Sequence, residues 1–241
     1  MNYSCLEELQ LDLDLHMLDK TSVLSKAGCK YDNGWFVITN DGYCHLFDNN
    51  GNLDDIKKIK QLEEKHIRKD ITKIIIPDSV ISIKHSAFYS CSRLKHMTIP
   101  NSVMSIGATA FTRCSELVNV TIHDSVTSVG SGAFYDCTNL RNVTIGNGVR
   151  SIGQQAFQYC TNLTNVTIPN NVTCIGWGAF SHCTRLISVT ILDSMISIGG
   201  YVFNACNALV NLTLKGKTLE QIKMMKNYPW GIMDESIIQV E

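Results

Sequence analysis

The stretch AFTRCSELVNVTI at residues 110–122 returns as AFYDCTNLRNVTI at 133–145 and as AFQYCTNLTNVTI at 156–168. The spacing extends well beyond these three copies. Phe88, Phe111, Phe134, Phe157, Phe180 and Phe203 lie 23 residues apart, and a Cys follows each by three: Cys91, Cys114, Cys137, Cys160, Cys183 and Cys206. A Leu follows three later (Leu94, Leu117, Leu140, Leu163, Leu186, Leu209), and Ile99, Ile122, Ile145, Ile168, Ile191 and Leu214 close the units. Self-similarity at a fixed period of about 20–30 residues marks a solenoid, in which each unit buries its apolar face only against its neighbours.

Within a unit, the LVNVTI segment at 117–122 ends in the apolar–polar alternation of a half-buried strand, with Leu117, Val120 and Ile122 inward and Asn119 and Thr121 outward. A turn follows, carrying Pro100, Gly146 or Pro169 in different copies, and then a second apolar pair such as Val126 and Val129. Gly recurs at 107, 130, 153, 176 and 199, which predicts either positive φ or close approach of another backbone. The AFxxC segment is expected to turn the chain back as a helical turn.

The repeat LxxVTIPxSVxSIGxxAFxxC over residues 71–215 resembles the BspA-type leucine-rich repeat family. That resemblance implies an α/β repeat solenoid, a right-handed coil with a parallel β-sheet on one face. The strand copy ITKIIIP at 71–77 fits the register, whereas Lys84 replaces the recurrent Gly, Val202 the Ala and Met195 the Val. The expected division is a small α+β cap or independent binding domain at 1–69, repeats at 70–215, and a helix–strand cap at 216–241.

Ten cysteines raise the question of chemistry. A metal site usually announces itself as Cys-x-x-Cys, which is lacking, and six thiols in one column pair poorly as disulfides. The Cys column therefore reads as small buried hydrophobes. No phosphate-binding glycine loop is present, since GNGVRSIG has neither the lysine nor the spacing. His123-Asp124-Ser125 holds three triad residue types, but it occupies the turn slot of Pro100-Asn101-Ser102 and reads as a turn variant. His85, His96, His123 and His182 fall in different repeat slots. A non-enzyme without cofactor or metal is the expectation.

A net charge of −1 makes no electrostatic case for nucleic acid, and no apolar run approaches the ~20 residues of a membrane helix. The acidic start MNYSCLEELQLDLDLHML lacks the basic and apolar regions of a secretory signal, so a cytoplasmic protein is expected, with the cell surface as alternative. In the flanks, Ser4 and Glu7 form a capping-box pattern and residues 54–67 read as a helix. Residues 34–47 read as two strands around Asn40-Asp41-Gly42. DNNGNLDD at 48–55 puts Leu53 where a calcium loop needs Gly, and reads as a turn. Residues 216–241 read as a helix, a Tyr-Pro-Trp-Gly turn with packed Trp230, and a strand covering the sheet edge.

The outward strand positions are the candidate partner-binding face. One column is His96, Asn119, Asn142, Asn165, Ser188 and Asn211; the next is Thr98, Thr121, Thr144, Thr167, Thr190 and Thr213, with His123 beside them. Structurally, such columns would hydrogen-bond along the stack as Asn or Thr ladders. Functionally, they form a polar face of the kind repeat proteins use for a protein partner. The face has few aromatic or Arg anchors, so specificity could come from Pro100, His123, Gly146, Pro169 and Leu192 or from residues 1–69. The Asn-x-Thr sequons this creates weigh against passage through a eukaryotic secretory route, because glycans would crowd a packed ladder. The expectation is a monomeric or weakly oligomeric protein-interaction scaffold. The family resemblance implies an alternative, a cell-surface adhesin binding host or matrix proteins; an intracellular inhibitor or decoy of a target enzyme is a further one.

Overall fold

A computed structural model describes residues 28–31, 34–38, 44–48, 73–76 and 80–241. The expected helices near Ser4 and at 54–67, the Asn40-Asp41-Gly42 turn and the loop after Asp48 lie outside the described residues. Strands β1 (Gly28–Tyr31), β2 (Gly34–Ile38) and β3 (Cys44–Asp48) form an antiparallel sheet, and the β2–β3 register, Trp35↔Phe47, is that of the predicted hairpin.

From residue 73 on, the described chain is a parallel β-solenoid of about seven turns. The first six turns contribute one strand to each of two ladders, and the seventh contributes one to the first ladder only. The first ladder contains β4 (Lys73–Ile75), β6 (His96–Thr98), β8 (Asn119–Ile122), β10 (Asn142–Ile145), β12 (Asn165–Ile168), β14 (Ser188–Ile191) and β16 (Asn211–Leu214). The second contains the two-residue strands β5 (Ser82–Ile83), β7 (Ser105–Ile106), β9 (Ser128–Val129), β11 (Ser151–Ile152), β13 (Cys174–Ile175) and β15 (Ser197–Ile198). Registers such as Val143↔Val120 and Ile106↔Val129 stack each residue on its counterpart one repeat away. The single sheet face expected from the repeat is therefore one of two. The second apolar pair of each unit is itself a short parallel strand.

The interior consists of the repeat's own columns. Phe88, Phe111, Phe134, Phe157 and Phe180 stack with centroids 5.1–5.2 Å apart and planes within 12°. Their ~4.8 Å strand spacing leaves no room for water between rings. Truncating one ring would cost about 3–5 kcal/mol.

The AFxxC segment is not helical, and little helix is present in the described chain. A helix needs N–H groups bonded four residues back. Here Ala110, Thr112 and Cys114 bond three residues back, to Gly107, Thr109 and Phe111, while the alternate residues Thr109, Phe111 and Arg113 donate to Ser131, Ala133 and Tyr135 of the next coil. The alternation requires left-handed backbone at two positions per coil, for example Thr109 (φ 53°) and Arg113 (φ 62°). Each costs a non-glycine residue about 1–2 kcal/mol, offset by the bonds to the next coil.

Of the two expectations for the recurrent glycine, close approach is the one realised. None of Gly107, Gly130, Gly153, Gly176 and Gly199 is among the positive-φ glycines, but a Cβ on Gly153 would lie 2.5 Å from the Ser131 nitrogen of the coil before it. Lys84 is the first of its column among the described residues.

At the C-terminal end, α1 (Leu219–Lys223) starts with a capping box between Thr218 and Gln221. The chain then passes the cis Tyr228-Pro229 bond, and a 3-10 turn leads into β17 (Ile238–Val240). Strand β17 pairs in parallel with β16, and Trp230 is fully buried.

Candidate interaction face

Strands β8, β10 and β12 share one burial pattern: Val and Ile point inward, Asn and Thr outward. His96, Thr98, Asn119, Thr121, Asn142, Thr144, Asn165 and Thr167 are exposed and form two side-by-side columns. Ser188, Thr190 and Asn211 are half-buried. Thr213 departs from the expected face: it is 5% exposed, sits between Thr190 and Gln239 on the flanking strands, and donates to Asn211 Oδ1 at 3.0 Å. His123 lies at the strand exit, half-buried.

The expected hydrogen-bonded ladder is realised over one step of these columns. Asn142 Nδ2 donates to Asn119 Oδ1 at 2.8 Å, but Asn165 turns its amide to Thr164 Oγ1 at 3.2 Å. The second polar ladder lies off the strands, where Asn162 donates to Asn139 and Arg185 to Asn162. Among the described residues, no side-chain hydrogen bond engages the hydroxyls of Thr121, Thr144 or Thr167. A pleated strand holds these γ-oxygens roughly perpendicular to the sheet, so each keeps its donor and acceptor capacity. The face carries no formal charge of its own; Lys95, paired with Glu116 at 3.5 Å, and Arg141 stand at its margin.

The cysteine column is buried and its thiols are free of disulfides. From Cys114 to Cys206 each bonds the coil before it: Cys114 Sγ donates to the Phe88 carbonyl at 3.3 Å and Cys160 Sγ to that of Phe134 at 3.3 Å. Burial pushes the thiols of Cys160 and Cys183 well above the ordinary range and that of Cys206 up to about 12. A thiol held protonated is neither nucleophile nor metal ligand. Among the described residues no group of three His, Cys, Asp or Glu side chains could hold a metal ion.

His123-Asp124-Ser125 is a turn in which each residue bonds away from the others. Ser125 Oγ donates to the Val103 carbonyl at 2.9 Å, Asp124 Oδ1 accepts from the Asn147 N–H at 2.6 Å, and the His123 carbonyl accepts from Val126. The two preceding carbonyl–hydroxyl and carboxylate–amide contacts tie neighbouring coils together, so the arrangement has no nucleophile–base geometry.

The structure brings together surface aromatics that the sequence reading passed over. Tyr159 stacks on His182 at 4.6 Å, Tyr135 meets Tyr159 edge-on at 5.4 Å, and Trp177 meets Tyr201 at 5.9 Å. Tyr159 and His182 share the slot before Cys in consecutive repeats, a pairing the sequence could have signalled.

The chain belongs to the BspA type leucine-rich repeat family: the family model matches residues 63–158 and 127–225, with six copies. The leucine-rich repeat protein of T. pallidum is 28% identical, covers 57% of this chain and 78% of its own, and has a TM-score of 0.52. A leucine-rich repeat protein from Bacteroides ovatus is 20% identical over 88% of this chain and 66% of its own, with a TM-score of 0.48. No functionally curated protein matches the chain. Proteins of this repeat class are in general non-enzymatic protein-interaction scaffolds, and no catalytic family is indicated. No helix among the described residues is long and apolar enough to cross a membrane.

Proposed function

We propose that this chain binds a polypeptide partner through the outward Asn and Thr columns of the first ladder, centred on Asn119, Thr121, Asn142, Thr144, Asn165 and Thr167. The observation that carries this is the unspent hydrogen-bonding capacity of Thr121, Thr144 and Thr167, exposed on three consecutive strands in register. Exposed hydroxyls that no neighbouring coil engages are available to a partner's main-chain groups. A wide, uncharged, rigid face suits a partner surface rich in main-chain and amide groups. Its rigidity reduces the ordering entropy that binding would otherwise incur.

The test is affinity capture with mass spectrometry, comparing the intact chain with Thr144→Arg. The substitution lies on an exposed strand position and leaves the core untouched. A macromolecular partner retained by the intact chain and lost from Thr144→Arg is expected. Equal recovery by both, or turnover of a small substrate with no partner recovered, would overturn the reading. A chain beginning at Asp70 tests whether residues 1–69 contribute to partner choice beyond capping the 70–215 array. The same face would serve an adhesin or an inhibitor of an intracellular enzyme, and where the partner resides separates those two settings.

A further inference from the structure

Past the sixth coil, a cavity of about 420 Å³ opens between that coil and the segment after it. Phe203, Cys206 and Leu209 line it on one side, and Ile232, Met233 and Ile237 on the other. The first three are the repeat's own core positions. In the interior coils the next copy covers them: Cys114 to Cys183 and Leu94 to Leu186 are 0% exposed, whereas Cys206 is 9% and Leu209 8% exposed.

The reason lies in how the last segment finishes the stack. The Trp230 carbonyl accepts the Phe203 N–H at 3.0 Å, as Ala110 accepts that of Phe88 at 2.7 Å, and pairing resumes at Leu212↔Ile238. Eight residues separate Trp230 from Ile238, where ten separate Val202 from Leu212 in the sixth coil. The backbone ladder is continued with a shortened path. Gly231 stands after Trp230 where a coil carries Phe, and a Cβ there would lie 2.9 Å from the Asn204 nitrogen. Phe203 stays covered at 2% exposed, whereas the volume of a further Cys and Leu is left open. Met233, fully exposed, and Val210, 63% exposed, extend the apolar surface at this end.

We propose that this cavity is a second protein-binding site, distinct from the strand face. It takes a partner peptide carrying an aliphatic side chain, seated where a further coil would stack. The site is continuous with the coil–coil interface already present five times between Phe88 and Phe203, so its occupant must offer that interface's chemistry. An aliphatic side chain covers Cys206 and Leu209. A cavity of this size lies within the ~300–1,000 Å³ range of binding pockets.

The probe is a fluorescent peptide of residues 179–186, AFSHCTRL, titrated into the full chain. Saturable binding is expected, weakened at least tenfold by Asn207→Trp, which fills the cavity from an exposed position, and unchanged by Thr144→Arg. Met233→Arg, at the fully exposed wall, provides a second variant that leaves the core intact and should weaken binding in the same sense. Absence of saturable binding, or affinity insensitive to both variants, overturns the proposal. So does a concentration-dependent dimer, seen by analytical ultracentrifugation, that Met233→Arg abolishes and the peptide cannot enter: the occupant would then be a second copy. Failure here leaves the strand-face reading standing, because that reading is tested by Thr144→Arg in capture.

Discussion

The thiol of Cys137 donates to the main-chain carbonyl of Phe111, 3.1 Å away in the preceding coil, and the same bond recurs from Cys183 to Phe157 and from Cys206 to Phe180. The Phe111 carbonyl also accepts the Cys114 N–H at 3.2 Å. Cys thus does what neither Ala nor Val would. It fills a small apolar volume and supplies a weak donor to a carbonyl's second lone pair. That bond repeats along the stack and helps to set one coil on the next.

Thiol accessibility follows from this. Cys174 occupies a slot where other copies carry Ser and is exposed, whereas the six column thiols are buried. A maleimide or disulfide reagent added to the native protein should label Cys174 promptly. The column should react only at the rate of unfolding, as peptide mapping over a time course would show. Prompt labelling of Cys137 or Cys160 would contradict the burial.

The same thiols predict a loss of stability in alkali. Burial raises the folded-state value above the ordinary value of 9.0, and for Cys206 to about 12. Below pH 9 both states are protonated and the thiols contribute no pH dependence. Between about 9 and 12 the unfolded chain releases protons that the folded chain retains, so stability falls as pH rises. Denaturant titrations across that range should show wild type losing stability more steeply than Cys160→Ala, by roughly 1.4 kcal/mol per pH unit for the one thiol removed. Parallel slopes would mean that Cys160 ionises freely in the folded state.

Two glycines should respond to alanine with very different losses. At Gly153 the new Cβ would meet the Ser131 backbone nitrogen at 2.5 Å, and neither coil can retreat without breaking its ladder. Gly132, with φ +60°, would meet no atom closer than Thr109 Cγ2 at 3.4 Å, in a slot other copies fill with Thr109, Gln155 or Tyr201 at similar φ. Gly153→Ala should cost several kcal/mol and Gly132→Ala about 1–2 kcal/mol or less, read from urea melts.

Gln158 offers a stabilising substitution. Its Oε1 is buried without a partner, whereas Thr112, in the same slot two repeats earlier, donates from Oγ1 to the Gly132 carbonyl at 2.7 Å. Gly178 occupies the matching position opposite residue 158. Gln158→Thr removes the orphaned acceptor and restores the Thr112-type bond, a gain of about 1–2 kcal/mol measurable as a raised melting temperature. An unchanged or lowered melting temperature would show that Gln158 is satisfied in solution.

The repeating Phe, Cys, Leu and strand positions were legible in the residues themselves, because a 23-residue period leaves only a stacked array able to bury them. The strand alternation likewise separated Val120 and Ile122 from Asn119 and Thr121. The turn at Phe111–Cys114 was not legible. Left-handed backbone is borne there by Thr109, Arg113, Gln155 and Tyr159, residue types that carry no local signal for it, and the hydrogen bonds that hold them run to the next coil.

The site divides along the same line. Which residues face outward was decided by the sequence, since alternation along a strand is a local property. Tertiary structure decided which of them remain available. Thr213 repeats the Asn-x-Thr pattern of Thr144, yet beside Gln239 of β17 it is 5% exposed. Whether the array is closed was equally invisible in any one repeat. The cavity over Cys206 and Leu209 exists because the segment after the sixth coil meets the stack's hydrogen bonds without supplying its side chains.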